Sequence, residues 1–173
     1  MKKLIGKLLF AVLSGLLVFL ICGILIRKAK AEAAADKIKR LPDLVLTDIG
    51  GDTLRTDQIH SGPLLITFFH PKCDHCRYEI LSFMASDMLD NHLTVLVISY
   101  ADKGEIQSFM QQIDIQDAPN LHIFHDPDFA LSDLFGADIM PSNYLYNDSL
   151  RLVKVFKGST RPEAILKFLY DHD

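Results

Sequence analysis

Cys73 and Cys76 stand where two different residue periods meet. Before them, Leu64 to Phe69 is a short continuous apolar run, the pattern of a strand buried on both faces within a central sheet. After them, Ile80, Leu81, Phe83, Met84, Met88 and Leu89 recur at helical spacing, which predicts a helix beginning at or near the pair and continuing to Leu89. A strand-to-helix loop presents its side chains to solvent, and two cysteines three apart at a helix start fall close enough to close a strained disulfide ring. The first of them lies where unpaired backbone N–H groups and the helix dipole favour a thiolate. Cys73 is thus the expected nucleophile. Cys76, one turn further in and more buried, is expected to keep a higher pKa and to act as the resolving thiol. Between them, a protonated His75 would stabilise the thiolate and Asp74 would oppose it, so both are read as redox-tuning positions.

The rest of the chain alternates in a way that extends this unit. Asp43 to Thr47 reads as a weak edge strand, and Gly50 and Gly51 turn into Thr53 to Ile59. Beyond the cysteine helix come a buried strand at Leu93 to Tyr100, an amphipathic helix at Glu105 to Ile113, and a third core strand at Leu121 to Phe124. A short helix at Phe129 to Phe135 is closed by Gly136. Met140 and Pro141 then precede two strands, Asn143 to Tyr146 and Leu152 to Phe156, close enough to pair as a hairpin around Asp148; Pro162 opens a last helix through Tyr170. The order predicts an α/β layered domain whose early strands are parallel and whose last two are antiparallel, a mixed sheet flanked by helices.

Charge divides the chain. Residues 1–40 carry nine Lys or Arg against two acids, which leaves nine against twenty of the 18 and 22 in the whole, a net of −11. A domain this acidic, without a basic stripe, disfavours nucleic acid and points to proteins or small thiols as partners. From Leu8 to Ile26 there are nineteen residues without a charge, long enough to cross a bilayer and longer than the apolar region of a cleaved secretory signal. The division expected is a basic N-terminus at 1–7, a transmembrane anchor at 8–26, a charged stalk at 27–40 and one domain at 41–173. Cys22 is read as a small apolar residue of the anchor. Six basic residues from Arg27 to Arg40 against three before the span would, by charge alone, turn the domain toward the cytoplasm. A tethered dithiol suits an oxidising compartment better, so the domain is placed on the extracytoplasmic, periplasmic side.

The strand, Cys-x-x-Cys and helix, followed much later by Met140 and Pro141, resemble the thioredoxin superfamily. Within it the chain is similar to the TlpA-like branch of membrane-anchored thiol-disulfide oxidoreductases, by its N-terminal anchor, its extra helix and strand before the last short helix, and Glu79 three residues after Cys76. The resemblance implies a thioredoxin-like fold over about residues 41–171 and exchange of disulfides with extracytoplasmic proteins. It implies a disulfide between Cys73 and Cys76, a cis peptide bond before Pro141, an extended substrate pairing with the Met140 backbone, and a role for Glu79 in moving the proton of the buried thiol. The reductant would be a membrane electron donor or a thioredoxin-like protein; no cofactor is expected. The chain departs from the family pattern at Lys72, which replaces an aromatic residue before the first cysteine, and in its Asp-His dipeptide.

Other readings of the same residues remain. Cys73, Cys76 and a histidine could form part of a zinc site, against which stands the lack of a second cysteine pair. Glu79 without its family position would be an exposed helix-surface acid, Lys72 either a thiolate partner or a solvated residue, and Gly158 a turn residue. His122 and His125 receive no role. Peroxide reduction is a second enzymatic reading, weakened because His75 occupies the place where Thr or Ser would stand after Pro71; an anchored thiol-binding or metal-binding module without turnover is a third.

Overall fold

The computed structural model describes residues 15, 19–26, 35–59, 62–89, 93–115 and 118–170. The chain divides into two units, Met1–Asp36 and Lys37–Asp173. In the first, residues 19–26 are helical and expose Phe19, Ile24 and Ile26. The rest of the expected span, residues 8–14 and 16–18, lies outside the described residues, as do residues 1–7 and residues 27–34 of the expected stalk. Among the described residues no helix is long and apolar enough to cross a membrane.

The second unit is built on a five-stranded sheet. A small antiparallel pair, β1 (Val45–Thr47) and β2 (Thr53–Arg55), precedes it. The main sheet comprises β3 (Leu64–Phe68), β4 (Thr94–Ser99), β5 (Leu121–His125), β6 (Ser142–Tyr146) and β7 (Leu152–Lys157), in the order β5-β4-β3-β6-β7. β3 runs parallel to β4, and β4 to β5, whereas β6 is antiparallel to both β3 and β7. Helices α1 (Asp74–Met84), α2 (Lys103–Ile113), α3 (Ala130–Phe135) and α4 (Pro162–Tyr170) complete the alternation. This is the layered mixed α/β arrangement expected from the order of elements, in the thioredoxin-like form that the resemblance implied.

The central place of β3 explains why its run is apolar but for Thr67, since all five residues are buried. Because side chains alternate across a strand, β3 feeds two cores. Leu65 and Phe69 join Val95, Val97 and Leu145 beneath Cys76, Ile80 and Phe83 of α1 and Ile106 and Phe109 of α2. Leu64, Ile66 and Phe68 join Leu96, Ile98, Tyr144 and Tyr146 against Phe135 of α3 and Leu46 of β1. Thr67 falls on the first of these faces and is directly opposite Asn143 in the antiparallel register. A polar cross-strand pair therefore stands inside an apolar layer, under the helix that carries the cysteines.

Two of the boundaries that differ from the sequence reading have a plain physical reason. α1 ends at Met84, because Ser86 turns back on the helix end, its Oγ donating to the Phe83 carbonyl at 2.9 Å; Met88 and Leu89 extend the apolar period only because they plug the same core from the following turn. The packed domain also begins before Leu41. Ile38 is buried, its carbonyl accepts the Tyr146 hydroxyl at 2.9 Å, and Arg40 bridges to Arg151, so the last residues of the expected stalk belong to the domain.

Candidate active site

α1 starts at the motif because the chain supplies both a turn and a cap. Pro71 sits in a tight turn in which the Cys73 N–H reaches the His70 carbonyl at 2.9 Å. Cys73 then holds extended backbone and acts as the N-cap, its Sγ accepting the N–H of Cys76 at 3.3 Å. Sulfur here fills the position that Ser or Asp occupies at most helix starts. Cys73 is partly exposed and Cys76 fully buried, and both are free thiols.

The Cys73 thiol also lies 3.9 Å from the Met140 carbonyl, which brings together the two motifs 67 residues apart in sequence. The Met140–Pro141 peptide is cis, as the resemblance implied. Pro141 is buried, and its carbonyl accepts the N–H of Gly158 at 2.8 Å; Gly158 has φ +90, a left-handed turn conformation that glycine adopts freely. Beside Met140 opens a cleft of about 290 Å³, lined in part by Tyr100, Phe129 and Ala137, with Asp133 and Asp138 among its lining residues. His70, Tyr100 and Phe129 form a row of rings, at 5.4 Å and 4.6 Å between centroids, that links the motif loop to this cleft.

Behind the exposed thiol the surroundings change. Burial, then the hydrogen bond with Cys73, push the Cys76 thiol far above its ordinary value, and the charges of Cys73 and Glu79 add to the effect. Glu79, only 2% exposed, is no surface acid. It lies one turn along from Cys76 on the same helix face. Burial raises its carboxyl to about 7, against the opposing hydrogen bonds from Thr160 and Asn143. Those bonds converge on one oxygen: Glu79 Oε1 accepts from Asn143 Nδ2 at 2.9 Å and from the Thr160 N–H at 2.7 Å. Oε2 is buried and has no hydrogen-bond partner.

The remaining motif residues point elsewhere. Asp74 and His75 occupy the exposed first turn of α1. Lys72 is paired with Glu105 at 2.5 Å on the surface, which makes it a solvated ion-pair residue. His122 is exposed and His125 half-buried on β5. Sequence reasoning found Cys73, Cys76, Glu79, Met140 and Pro141, which the fold gathers at one end of the sheet. It missed Thr67, Asn143 and Thr160. A hydroxyl inside the Leu64 to Phe69 run and an amide just after Pro141 were the signals that could have drawn attention to the first two.

Fold and site together define a thioredoxin-fold redox protein. The chain belongs to the AhpC/TSA family, whose model matches residues 38–155. No curated protein matches it significantly. Among solved structures, it is similar to a secreted Mycobacterium tuberculosis disulfide oxidoreductase homologous to E. coli DsbE, at 16% identity over 75% of this chain and 96% of that one, with a TM-score of 0.64. It is also similar to the pneumococcal exposed lipoprotein thioredoxin Etrx1 from Streptococcus pneumoniae strain TIGR4, at 19% identity over 75% and 98%, TM-score 0.63. The peroxidoxin BcpB from Mycobacterium tuberculosis gives 14% identity over 78% and 96%, TM-score 0.64. At these identities the likeness concerns the fold.

Proposed function

We propose that this protein is a thiol-disulfide oxidoreductase that reduces disulfides of extracytoplasmic proteins, with its domain tethered to the membrane by Leu8 to Ile26. The observation that carries the reading is the unequal pair at the start of α1: a partly exposed Cys73 and a buried Cys76, with the Glu79 carboxyl one turn on keeping one oxygen free of hydrogen bonds. A client segment lies extended along Met140 and Pro141, with the cleft beside them. The Cys73 thiolate attacks a client sulfur, one client thiolate leaves, and a mixed disulfide forms. Cys76 then gives its proton to Glu79 and attacks the Cys73 sulfur. The Cys73–Cys76 bond forms, the second client sulfur leaves with the electron pair and takes a proton from solvent, and the client is reduced as the pair is oxidised. A membrane electron donor or a thioredoxin-like reductant restores the dithiol.

The charge-free run supports the tether, and two of the similar proteins, one secreted and one an exposed lipoprotein, support an extracytoplasmic site. Cys76→Ala is the test. In cells carrying this variant, mixed disulfides through Cys73 should accumulate on non-reducing gels, and a membrane-impermeant thiol reagent should reach Cys73 in intact cells. Absence of covalent partners would refute the exchange reaction, and labelling only after lysis would refute the placement. A second reading, peroxide reduction, draws on the family and on the likeness to BcpB. Consumption of hydrogen peroxide by the purified domain, at a rate lost in Cys73→Ser, would favour it.

A further inference from the structure

The described residues include two buried carboxyl groups in the domain, and their hydrogen bonding differs. Asp126 has both oxygens engaged by the start of α3: Oδ1 accepts the Leu131 N–H at 3.1 Å, and Oδ2 accepts the Ser132 N–H at 2.9 Å and its hydroxyl at 2.8 Å. It is a structural cap. Glu79 is lopsided, with two donors on Oε1 and none on Oε2. A carboxylate oxygen that already accepts two hydrogen bonds has no lone pair well placed for a proton, so a proton arriving at Glu79 goes to Oε2. One of the two donors is a backbone group that cannot rotate away. The other is a side-chain amide that could present either its oxygen or its nitrogen. Thr67 supports the second arrangement, since its hydroxyl donates to Asn143 Oδ1 at 2.8 Å while Nδ2 meets the Glu79 oxygen, which as a carboxylate can only accept.

We infer that Asn143, oriented by Thr67 across the β3–β6 register, is a positioning residue that confines the exchangeable proton of Glu79 to Oε2 and keeps the carboxylate available as the base for Cys76. This rests on the proposed role of Glu79 in deprotonating Cys76. In the resolving step the proton leaves Cys76 Sγ for Oε2, the resulting thiolate attacks Cys73 Sγ, the Cys73–Cys76 bond forms, and the thiol bound to Cys73 departs with the electron pair. An amide N–H on Oε1 stabilises the charged carboxylate, so its loss shifts Glu79 toward the protonated form and slows the step at neutral pH. The groups around the carboxyl leave few other sources of a pH response. Cys76 on the same helix is the titratable neighbour, its thiol raised in part by the Glu79 charge; β3 and β6 contribute neutral Thr67 and Asn143, and the segment before α4 contributes the Thr160 backbone, followed by exposed Arg161.

The full chain carrying Cys22→Ser, which removes the exposed third thiol and serves as the wild-type background, is mixed in its reduced form with the aromatic disulfide 5,5′-dithiobis(2-nitrobenzoate) in a stopped-flow instrument. A first release of nitrothiobenzoate reports attack by Cys73, and a second reports resolution by Cys76. The second phase of the wild type should rise with pH through an inflection near 7. In Asn143→Ala the inflection should move up by about one pH unit, the effect of one lost hydrogen bond to a charged group. Thr67→Val, nearly isosteric, should move it the same way by less, and the first phase should be unchanged in both. Glu79→Gln should abolish the inflection. If it does so while both Asn143→Ala and Thr67→Val leave the wild-type inflection in place, the positioning role is overturned and the role of Glu79 stands. If Glu79→Gln keeps the inflection, the role of Glu79 itself is wrong. Should Asn143→Ala fail to give a folded first phase, Thr67→Val decides the question alone.

Discussion

Cys73 and Cys76 are the same chemical group one helical turn apart, and the fold gives them opposite surroundings. Cys73 caps a helix at the domain surface, facing the carbonyl of Met140, a residue that also lines an open cleft. Cys76 lies in the core, its thiol held protonated by burial and by its neighbours, with a carboxyl of raised pKa on the same face. A thiol that must meet a client needs access. A thiol that must wait for a mixed disulfide needs the reverse, a site where it stays protonated until a base removes the proton. The difference arises from position alone: the N-cap residue projects beyond the helix start, and the residue one turn on faces inward against β3 and β6.

Removing the exposed member should have the largest effect. In Cys73→Ser, reduction of insulin by the chain with dithiothreitol as electron source should fall to the uncatalysed rate, whereas Cys76→Ala should still form adducts with small disulfides. Equal loss of adduct formation in the two variants would break the distinction between attacker and resolver. Next comes the base on the buried side. Glu79→Gln should slow the resolving step about 10²-fold at pH 7.5, the lower end of what a positioned base contributes, and leave the first attack by Cys73 unaltered. Stopped-flow release of nitrothiobenzoate separates the two.

Stability should carry the same signature. Glu79 has a folded value of about 7 against an ordinary 4.5, so the folded state holds its proton more tightly than the unfolded one. Its contribution is therefore most favourable below pH 4.5 and is lost as pH rises through 7. The difference in unfolding free energy between wild type and Glu79→Gln should change by about 3 kcal/mol between pH 4.5 and 8, with the wild type losing ground at high pH. Urea denaturation at a series of pH values would show it; a constant difference would mean that the carboxyl is not held in the protonated range. The smallest effect belongs to the exposed rim. Lys72→Ala breaks an exposed surface pair with Glu105, so the thermal unfolding midpoint should barely move, and turnover should stay close to wild type.

Local pattern was enough to read much of the fold. The switch from the Leu64 to Phe69 run to helical spacing located β3 and α1, and Pro162 marked the first residue of α4. Gly136, placed as a helix stop by its neighbours, does close α3 in a left-handed conformation. The boundary at Met84 escaped the reading because Met88 and Leu89 are buried at helical spacing without being helical. Ile38 escaped because its partner Tyr146 is 108 residues away. The site divides in the same manner. Cys73 and Cys76 stand one turn apart at a helix start, so their relation was visible in the chain, whereas Glu79 was singled out by the resemblance alone and its burial became plain only in the fold. Thr67 and Asn143 are 76 residues apart and meet only because β6 returns antiparallel to β3 in a particular register. No local period records that register, and each residue alone looks like an ordinary polar interruption of a strand.

The most direct test of the central claim is a redox titration of the purified chain in mixtures of reduced and oxidised dithiothreitol, with acid trapping and mass-tagging of the thiols. Cys73 and Cys76 should oxidise together in a single two-electron transition, reversed by adding reductant and absent from both Cys73→Ser and Cys76→Ser. If the two thiols stay reduced across the whole range, or oxidise separately with Cys76 untouched, the pair is not a working dithiol, and exchange of disulfides is not what this protein does.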